Sequence, residues 1–172
     1  MGSVQSILKA KGGNTFSIAP DTIVYRALEL MVEKNVSALV VMESGKLVGI
    51  FSEKDYARKV ILKGKASKQT KIRDIMSDDI ITVSPSNSID DCMKLMTNNF
   101  IRHLPVIQDD QLVGIISIGD VVKYIIDEQK FIIQNMEQYI GGTWYFLSWI
   151  YWWFPSAQKF FPVQASTFVY SA

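Results

Sequence analysis

Two motifs of the form Ser-x-x-Asp carry residue types suited to polar chemistry, at Ser52–Asp55 and Ser117–Asp120. Each follows an apolar run and precedes a helical pattern, so each lies where a predicted strand ends and a helix begins. One interpretation is helix capping, in which the serine accepts from a backbone N–H group and the acid complements the helix dipole. The other is ligand binding. In that case the carboxylate accepts hydrogen bonds from both hydroxyl groups of a ribose, while the serine hydroxyl and the free N–H groups of the helix start face a phosphate. The two interpretations are compatible.

Arg102 and His103 form a second polar group, directly before the apolar run Leu104–Ile107. Their side chains therefore leave from the entry of a predicted strand. The structural interpretation gives the arginine a surface ion pair and the histidine a satisfied hydrogen bond. Cys92, the one cysteine, lies on the apolar side of a predicted helix, where a small buried residue is the expected role.

These motifs belong to an internal repeat, since Phe16–Val60 aligns without a gap with Ile81–Ile125. Such a repeat predicts two halves that are each too small to bury much surface alone and that pack on each other. The counterpart of Arg102 and His103 is the pair Ser37 and Ala38, so basic residues enter from one repeat only. The identical positions include the following pairs: Gly49/Gly114, Ile50/Ile115, Ser52/Ser117 and Asp55/Asp120.

The first repeat has the pattern of a strand, a helix, two strands and a helix. Thr15–Ile18 predicts a short strand, and Pro20-Asp21 then predicts a helix start with Asp21 as its cap. The β-branched runs Ala38–Met42 and Leu47–Ser52 predict a β-hairpin. A second helix is expected from about Glu53.

The second repeat predicts the same order of elements. A helix is expected after Pro85-Ser86, a hairpin from Leu104–Ile107 and Leu112–Ser117, and a last helix from about Ile118. The basic stretch Lys63–Lys71 predicts a solvated linker between the repeats.

The last helical pattern runs to Ile140, where Gly141-Gly142 predicts its end. Thr143–Ala172 differs from the rest, because it is rich in aromatic residues and has Lys159 as its one charge. Such a tail is expected to pack on the domain, on a partner or at a membrane interface. Its longest aromatic run is shorter than the roughly 20 residues that a membrane-spanning helix needs.

Composition and motifs argue against several classes of function. The formal net charge is +1 and the charge signs alternate, which is not typical of a protein that binds nucleic acid or anionic membranes. No phosphate loop, GxSxG element or paired metal-ligand spacing is found, so catalysis is not expected. The single cysteine fits a reducing compartment, and we expect a cytoplasmic protein.

The motifs LVGI-[FI]-S-x-x-D in both repeats, EKDYARKV in the first and RHLPV in the second resemble those of tandem CBS domains, the Bateman module. The resemblance covers about Val4–Gly142 and implies an α/β fold of the α+β type. Two β-α-β-β-α repeats would be related by a pseudo-two-fold axis, with two clefts between them. The expected boundaries are 12–72 and 76–134 for the repeats and 143–172 for the tail.

The resemblance also implies a function, because the clefts of such modules bind adenosine-containing ligands such as AMP, ADP, ATP, NAD or S-adenosylmethionine. No cofactor is required, and the module is expected to sense nucleotides, including the energy state, and to regulate a partner protein. A homodimer is expected, since apolar helices on both outer faces would otherwise stay exposed. The alternative is a structural adaptor with empty clefts, whose aromatic tail docks to a protein or to a membrane.

Residue roles follow from the same resemblance. Asp55 and Asp120 are expected at the ribose, beside Ser52, Ser117 and Gly119. Arg102 and His103 are expected at a phosphate, so the two clefts should differ in their phosphate contacts. Lys54 stands where relatives usually have arginine. A lysine keeps the positive charge but cannot donate two parallel hydrogen bonds as the guanidinium group of arginine does. Backbone groups near Thr15–Ser17, Ser37–Leu39 and Ile80–Thr82 are expected at the adenine, with Thr15, Ser37, Ala38 and Ile81 as candidates.

Overall fold

The computed structural model describes residues 2–12 and 15–153, with side chains described up to residue 137. The chain divides into two units, Met1–Tyr124 and Ile125–Ala172. Both repeats lie almost entirely in the first unit. Helix α1 (Val4–Lys11) precedes them.

The first repeat contains the predicted elements in the predicted order. They are β1 (Ser17–Ile18), α2 (Val24–Lys34), β2 (Ala38–Glu43), β3 (Lys46–Ser52) and α3 (Glu53–Asp55). The last helix is irregular, since α3 continues as a π-helical turn and then a 3₁₀ turn. Those turns span Tyr56–Val60 and Ile61–Lys63.

The second repeat has the same architecture with a reduced first strand. Its elements are α4 (Ile89–Asn98), β4 (His103–Gln108), β5 (Gln111–Ser117) and α5 (Ile118–Trp153). A single parallel bridge from Val83 to Val106 takes the place of the first strand. It corresponds to the parallel pairing of Ile18 with Val41 in the first repeat.

The two hairpins are alike in their irregularities. β2 pairs antiparallel with β3, and β4 with β5, and each pair has a bulge at the corresponding position after Val41 and Val106. Both turns are two residues long with positive φ at both positions, which matches the right-handed twist of the strands. These turn residues are Ser44, Gly45, Asp109 and Asp110.

The core of the first repeat lies between α2 and the sheet. Val24, Ala27 and Met31 recur at helical spacing on one face of α2 and are buried against Phe51 and other strand residues. Cys92 occupies the same place on α4 and is fully buried, as predicted. Burial, and then the neighbouring Asp91, raise the pKa of its thiol, which keeps the sulfur protonated.

The start of α2 differs from the prediction, since Asp21 does not cap it. The helix begins at Val24, whose N–H donates to the carbonyl oxygen of Thr70 at 2.9 Å. The N–H of Tyr25 donates to the carbonyl oxygen of Ser67 at 3.1 Å. The stretch predicted as a solvated linker therefore caps the helix. Asp21 pairs with Lys71 and Arg73 at 2.9 and 2.8 Å. The hydrogen bonds from Arg73 and then Lys71 lower the pKa of Asp21 to about 2.

Each repeat is completed by the segment that precedes the other repeat. Ile72–Asp74, a 3₁₀ turn, docks on the first repeat through the Ile72 N–H and the Thr22 carbonyl, 2.9 Å apart. In the second repeat the N–H of Val4 donates to the carbonyl of Asn87, the counterpart of Thr22, at 3.0 Å.

The paired glycines of β3 and β5 let these segments approach closely. A Cβ on Gly49 would lie 2.5 Å from the sulfur of Met76, and one on Gly114 would lie 2.6 Å from Cδ2 of Leu8. Leu8 and Met76 are thus structural counterparts. Helix α1 takes the place in the second repeat that the segment around Met76 takes in the first.

Helix α5 extends beyond the predicted end at Gly141-Gly142 and continues to Trp153. Glycine costs a helix about 1 kcal/mol relative to alanine and does not by itself end one. The predicted tail therefore begins within this helix, and its residues from 154 onward lie outside the described part of the chain. Within residues 2–12 and 15–153, no helix has the length and apolarity needed to cross a membrane.

Candidate functional site

An open cavity of about 180 Å³ lies where the two repeats meet within the first unit. The predicted site residues Ser52, Lys54, Asp55, Ile81, Arg102 and His103 all line it. We call it the Asp55 cavity.

Both repeats contribute walls to the Asp55 cavity. The first repeat supplies the end of β3 and the start of α3, and the second supplies the loop from Phe100 into β4. Apolar side chains line it between the polar groups, namely Ile50, Ile80, Ile101 and Pro105. Apolar walls with a few polar groups suit a ligand that has both a flat apolar part and charged groups.

Asp55 is buried in the first turn of α3, and its side chain forms a capping box with Ser52. Its Oδ2 accepts from the N–H and the hydroxyl of Ser52, at 3.1 and 2.6 Å, and its own N–H donates to the Ser52 hydroxyl. Its Oδ1 accepts from Ser77 at 3.0 Å and pairs with Lys59 at 3.0 Å. Four donors use the roughly four acceptor positions of a carboxylate. A new donor at Asp55 must therefore displace one of them.

Asp120 has the same capping arrangement at the start of α5, and it lies outside the Asp55 cavity. Its Oδ2 accepts from the N–H and the hydroxyl of Ser117, at 2.7 and 2.8 Å. The ammonium group of Lys11 also donates to this oxygen, at 2.7 Å. Burial raises the pKa of Asp120, but the hydrogen bonds from Lys11 and Ser117 outweigh it and hold the pKa below its usual value.

The cationic side chains of the Asp55 cavity are Lys54 and Arg102. Lys54 donates to the carbonyl oxygen of Phe100 at 3.0 Å, which ties α3 to the second repeat. The Arg102 side chain is exposed, and it forms no ion pair within the described part of the chain. Its guanidinium group is available to an anion in the cavity.

His103 is half-buried and neutral at pH 7, which differs from the basic role implied by the resemblance. Burial, and then the positive charges of Arg102 and Lys11, lower its pKa to about 4. Its Nε2 shares a hydrogen bond of 3.1 Å with the hydroxyl of Ser37. His103 therefore contributes a hydrogen-bonding group to the Asp55 cavity.

The pKa of His103 gives the fold a pH dependence that can be measured. The value is about 4 in the folded protein against an ordinary 6.5, so the unfolded chain binds the proton more readily. The free energy of unfolding should fall as the pH drops from about 6.5 to 4, by at most about 1.4 kcal/mol per pH unit from this group. Urea denaturation of wild type and His103→Gln across this range should show a flatter profile for the variant. Parallel profiles would contradict the assignment.

The remaining predicted residues lie outside the Asp55 cavity. Ser37 and Ala38 lie at the entry of β2, where the Ser37 carbonyl accepts from the N–H of Glu53 at 3.3 Å. Thr15 lies just before β1, and Gly119 lies in the first turn of α5. The sequence interpretation missed Ser77, Asp79 and Lys59. Lys59 could have been found from its spacing of four residues from Asp55, whereas the other two lie outside the aligned repeats.

Comparisons with known proteins agree with this architecture. The family model of the CBS domain matches residues 13–61 and 72–127. The mitochondrial CBS domain-containing protein CBSX3 of Arabidopsis thaliana is 41% identical over 149 residues, covering 81% of this chain and 72% of the relative. The solved structure of a protein with CBS domains from Burkholderia ambifaria matches with a TM-score of 0.72 and 44% identity, covering 74% of this chain and 96% of that one.

A second similar structure is the CBS domain pair of protein MJ0100, in complex with 5′-methylthioadenosine and S-adenosyl-L-methionine. It is 25% identical, with a TM-score of 0.64, and covers 72% of this chain and 98% of that one. The family model, the relative and the two structures all match across both repeats of this chain. The chain belongs to the CBS domain family, with two CBS repeats in one chain.

Proposed function

We propose that the protein is a regulatory module that binds an adenosine-containing ligand in the Asp55 cavity and transmits its presence to a partner protein without catalysis. The observation that carries the proposal is the convergence of Ser52, Lys54 and Asp55 from one repeat with Arg102 and His103 from the other. A ligand that contacts both groups changes the contact between the repeats. That is the physical basis for sensing.

Asp55 is the proposed ribose ligand. The carboxylate is held in place by the N–H and the hydroxyl of Ser52, so its orientation need not change when it accepts hydroxyl groups. Ribose hydroxyls would exchange with the donors on Oδ1, which are Ser77 and Lys59. Lys59 keeps another acceptor after the exchange, because it also donates to the Met76 carbonyl at 3.1 Å.

The phosphate or other anionic part of the ligand is assigned to Arg102, with Lys54 in support. Arginine presents several donors in a fixed plane that fits phosphate oxygens, whereas lysine acts as a point charge. Asp79 also lines the cavity, and its negative charge disfavours ligands with many phosphates. The apolar walls would hold the adenine.

The complex of MJ0100 supports the class of ligand, since both of its bound molecules contain adenosine. AMP, ATP and NAD are further candidates, and the regulated partner is a protein. We propose a homodimer as the working state, because Val32 and Leu62 leave large apolar side chains exposed on the helices of the first repeat.

A thermal-shift panel tests the function directly. Adenosine, AMP, ATP, NAD and S-adenosylmethionine are compared, with guanosine as the matched control. A ligand at 100 times its Kd stabilises the folded state by about 2.7 kcal/mol, which raises the Tm by about 5–10 °C. We expect at least one adenosine compound to do so while guanosine does not. The proposal fails if none of the panel shifts the Tm, or if guanosine shifts it equally.

A further inference from the structure

Phe100 lines the Asp55 cavity and has no role in the proposed function. It follows the end of α4 and is 81% exposed. An aromatic residue that serves the core would be buried, so packing does not explain the residue type at this position. An exposed aromatic ring on a cavity wall is a surface to which a ligand can bind.

The backbone conformation at Phe100 is unfavourable for an aromatic residue. Helix α4 ends in a Schellman motif, in which the N–H of Ile101 donates to the carbonyl oxygen of Met96 at 3.0 Å and the N–H of Phe100 to that of Thr97 at 3.4 Å. The motif places the residue after the helix end in the left-handed region, and Phe100 has a φ of 54°. Glycine and asparagine adopt this conformation at little cost, whereas a bulky side chain is strained there.

The first repeat has the same helix end with a residue that suits it. The counterpart of Phe100 is Asn35, with a φ of 52°. The N–H of Val36 donates to the carbonyl oxygen of Met31 at 3.0 Å, and the N–H of Asn35 donates to that of Val32 at 3.2 Å. Asn35 does not line the Asp55 cavity. Of two equivalent positions, the one at the cavity therefore has the strained aromatic residue.

The position of Phe100 is also fixed by the other repeat. The ammonium group of Lys54 donates to the carbonyl oxygen of Phe100 at 3.0 Å. Together with the hydrogen bonds of the helix end, this contact holds the backbone in place before any ligand binds, so binding loses little conformational freedom there. Strained backbone that the surrounding structure holds in this way is found mainly at functional sites.

We propose that Phe100 binds the ligand of the Asp55 cavity by stacking on its planar base. This inference rests on the proposed function, which supplies an adenosine-containing ligand. Stacking covers the exposed ring with a flat apolar surface and needs no phosphate. Phe100 and Arg102 thus contact different parts of the ligand, the base and the anionic group.

The test combines calorimetric titration of the full chain with adenosine and AMP and thermal denaturation without ligand. Phe100→Asn removes the ring and introduces the residue of the counterpart position. Both affinities should fall by roughly 5- to 150-fold, the range for stacking of a base on an aromatic side chain. The Tm of the variant without ligand should rise by roughly 2–4 °C, because the backbone strain is relieved. A residue with a structural role alone would lower the Tm when it is replaced.

Three further variants identify the cause. Phe100→Tyr keeps the ring and should change both affinities by less than about twofold. Phe100→Leu keeps an apolar side chain without a flat face, and it should weaken both ligands by at least about fivefold. Asn35→Phe is the matched control, since it places the same ring at the same helix end away from the cavity. It should lower the Tm by roughly 2–4 °C and leave both affinities within about twofold.

The outcomes separate this inference from the function on which it rests. If Phe100→Asn raises the Tm and leaves both affinities unchanged, the ring does not contact the ligand, and the inference is overturned while the function stands. If the variant lowers the Tm, or if it changes sedimentation from dimer to monomer at unchanged affinity, the ring serves the fold or a contact between copies, and the inference is again overturned. If wild type binds no adenosine compound, the proposed function is wrong and the inference falls with it.

Discussion

Arg102→Ala should weaken AMP binding by roughly 10- to 150-fold and leave adenosine binding nearly unchanged. A charge-assisted hydrogen bond to phosphate contributes roughly 1.5–3 kcal/mol, which corresponds to that range of affinity. Adenosine has no phosphate and loses nothing at this position. Calorimetric titration of wild type and variant with both ligands measures the two ratios.

Arg58 provides the matched control, since it is an exposed arginine that does not line the Asp55 cavity. Arg58→Ala should change both affinities by less than about twofold. If Arg102→Ala instead weakened adenosine and AMP by the same factor, the arginine would be holding the shape of the cavity. Its assignment to phosphate would then be withdrawn.

Ile7→Ala should lower the free energy of unfolding by about 2–5 kcal/mol, the range for removing a buried isoleucine side chain. Ile7 is 3% exposed although it lies outside both aligned repeats. Its helix docks where the second repeat would otherwise expose the face around Gly114. Urea denaturation followed by circular dichroism measures the loss as a change in the midpoint at constant slope.

Ile133→Ala is the control for that experiment. This isoleucine is 54% exposed, so its truncation should cost less than about 0.5 kcal/mol. A loss below about 1 kcal/mol for Ile7→Ala would show that α1 is a dispensable extension.

The fold was largely predictable because its signals are local and repeated. The hairpins follow from β-branched runs on either side of a short polar turn, and the second copy repeats the pattern at Gln108–Gln111. The two Ser-x-x-Asp motifs, Ser52–Asp55 after β3 and Ser117–Asp120 after β5, were correctly placed at helix starts, because their spacing matches a capping box.

The errors arose where distant segments decide local structure. Asp21 has the composition of a cap, but the carbonyl groups of Ser67 and Thr70 satisfy the helix start instead. Gly141-Gly142 has the composition of a helix end, although the helix continues. At the start of α2 these tertiary contacts outweighed a capping preference of about 1 kcal/mol.

The site was predictable only in part for a similar reason. The residues inside the aligned repeats could be matched to one another, and they form most of the lining of the Asp55 cavity. Lys11, Ser77 and Asp79 lie in the segments before each repeat, so an alignment of the repeats never compares them. Their approach to Asp120 and Asp55 depends on which repeat each segment docks against.

Each repeat thus docks the leading segment of the other repeat, meaning the residues that precede it in the chain. This exchange bears on how such a chain could have arisen. A precursor with one repeat and one leading segment could fill its docking face only with the segment of a second molecule. It would have been an intertwined dimer, whose folding depends on protein concentration. Joining two copies end to end makes the same exchange intramolecular, at an effective concentration that dilution cannot change. Duplication of the gene would then have supplied stability before the two sites acquired different residues, Lys11 at one and Asp79 at the other.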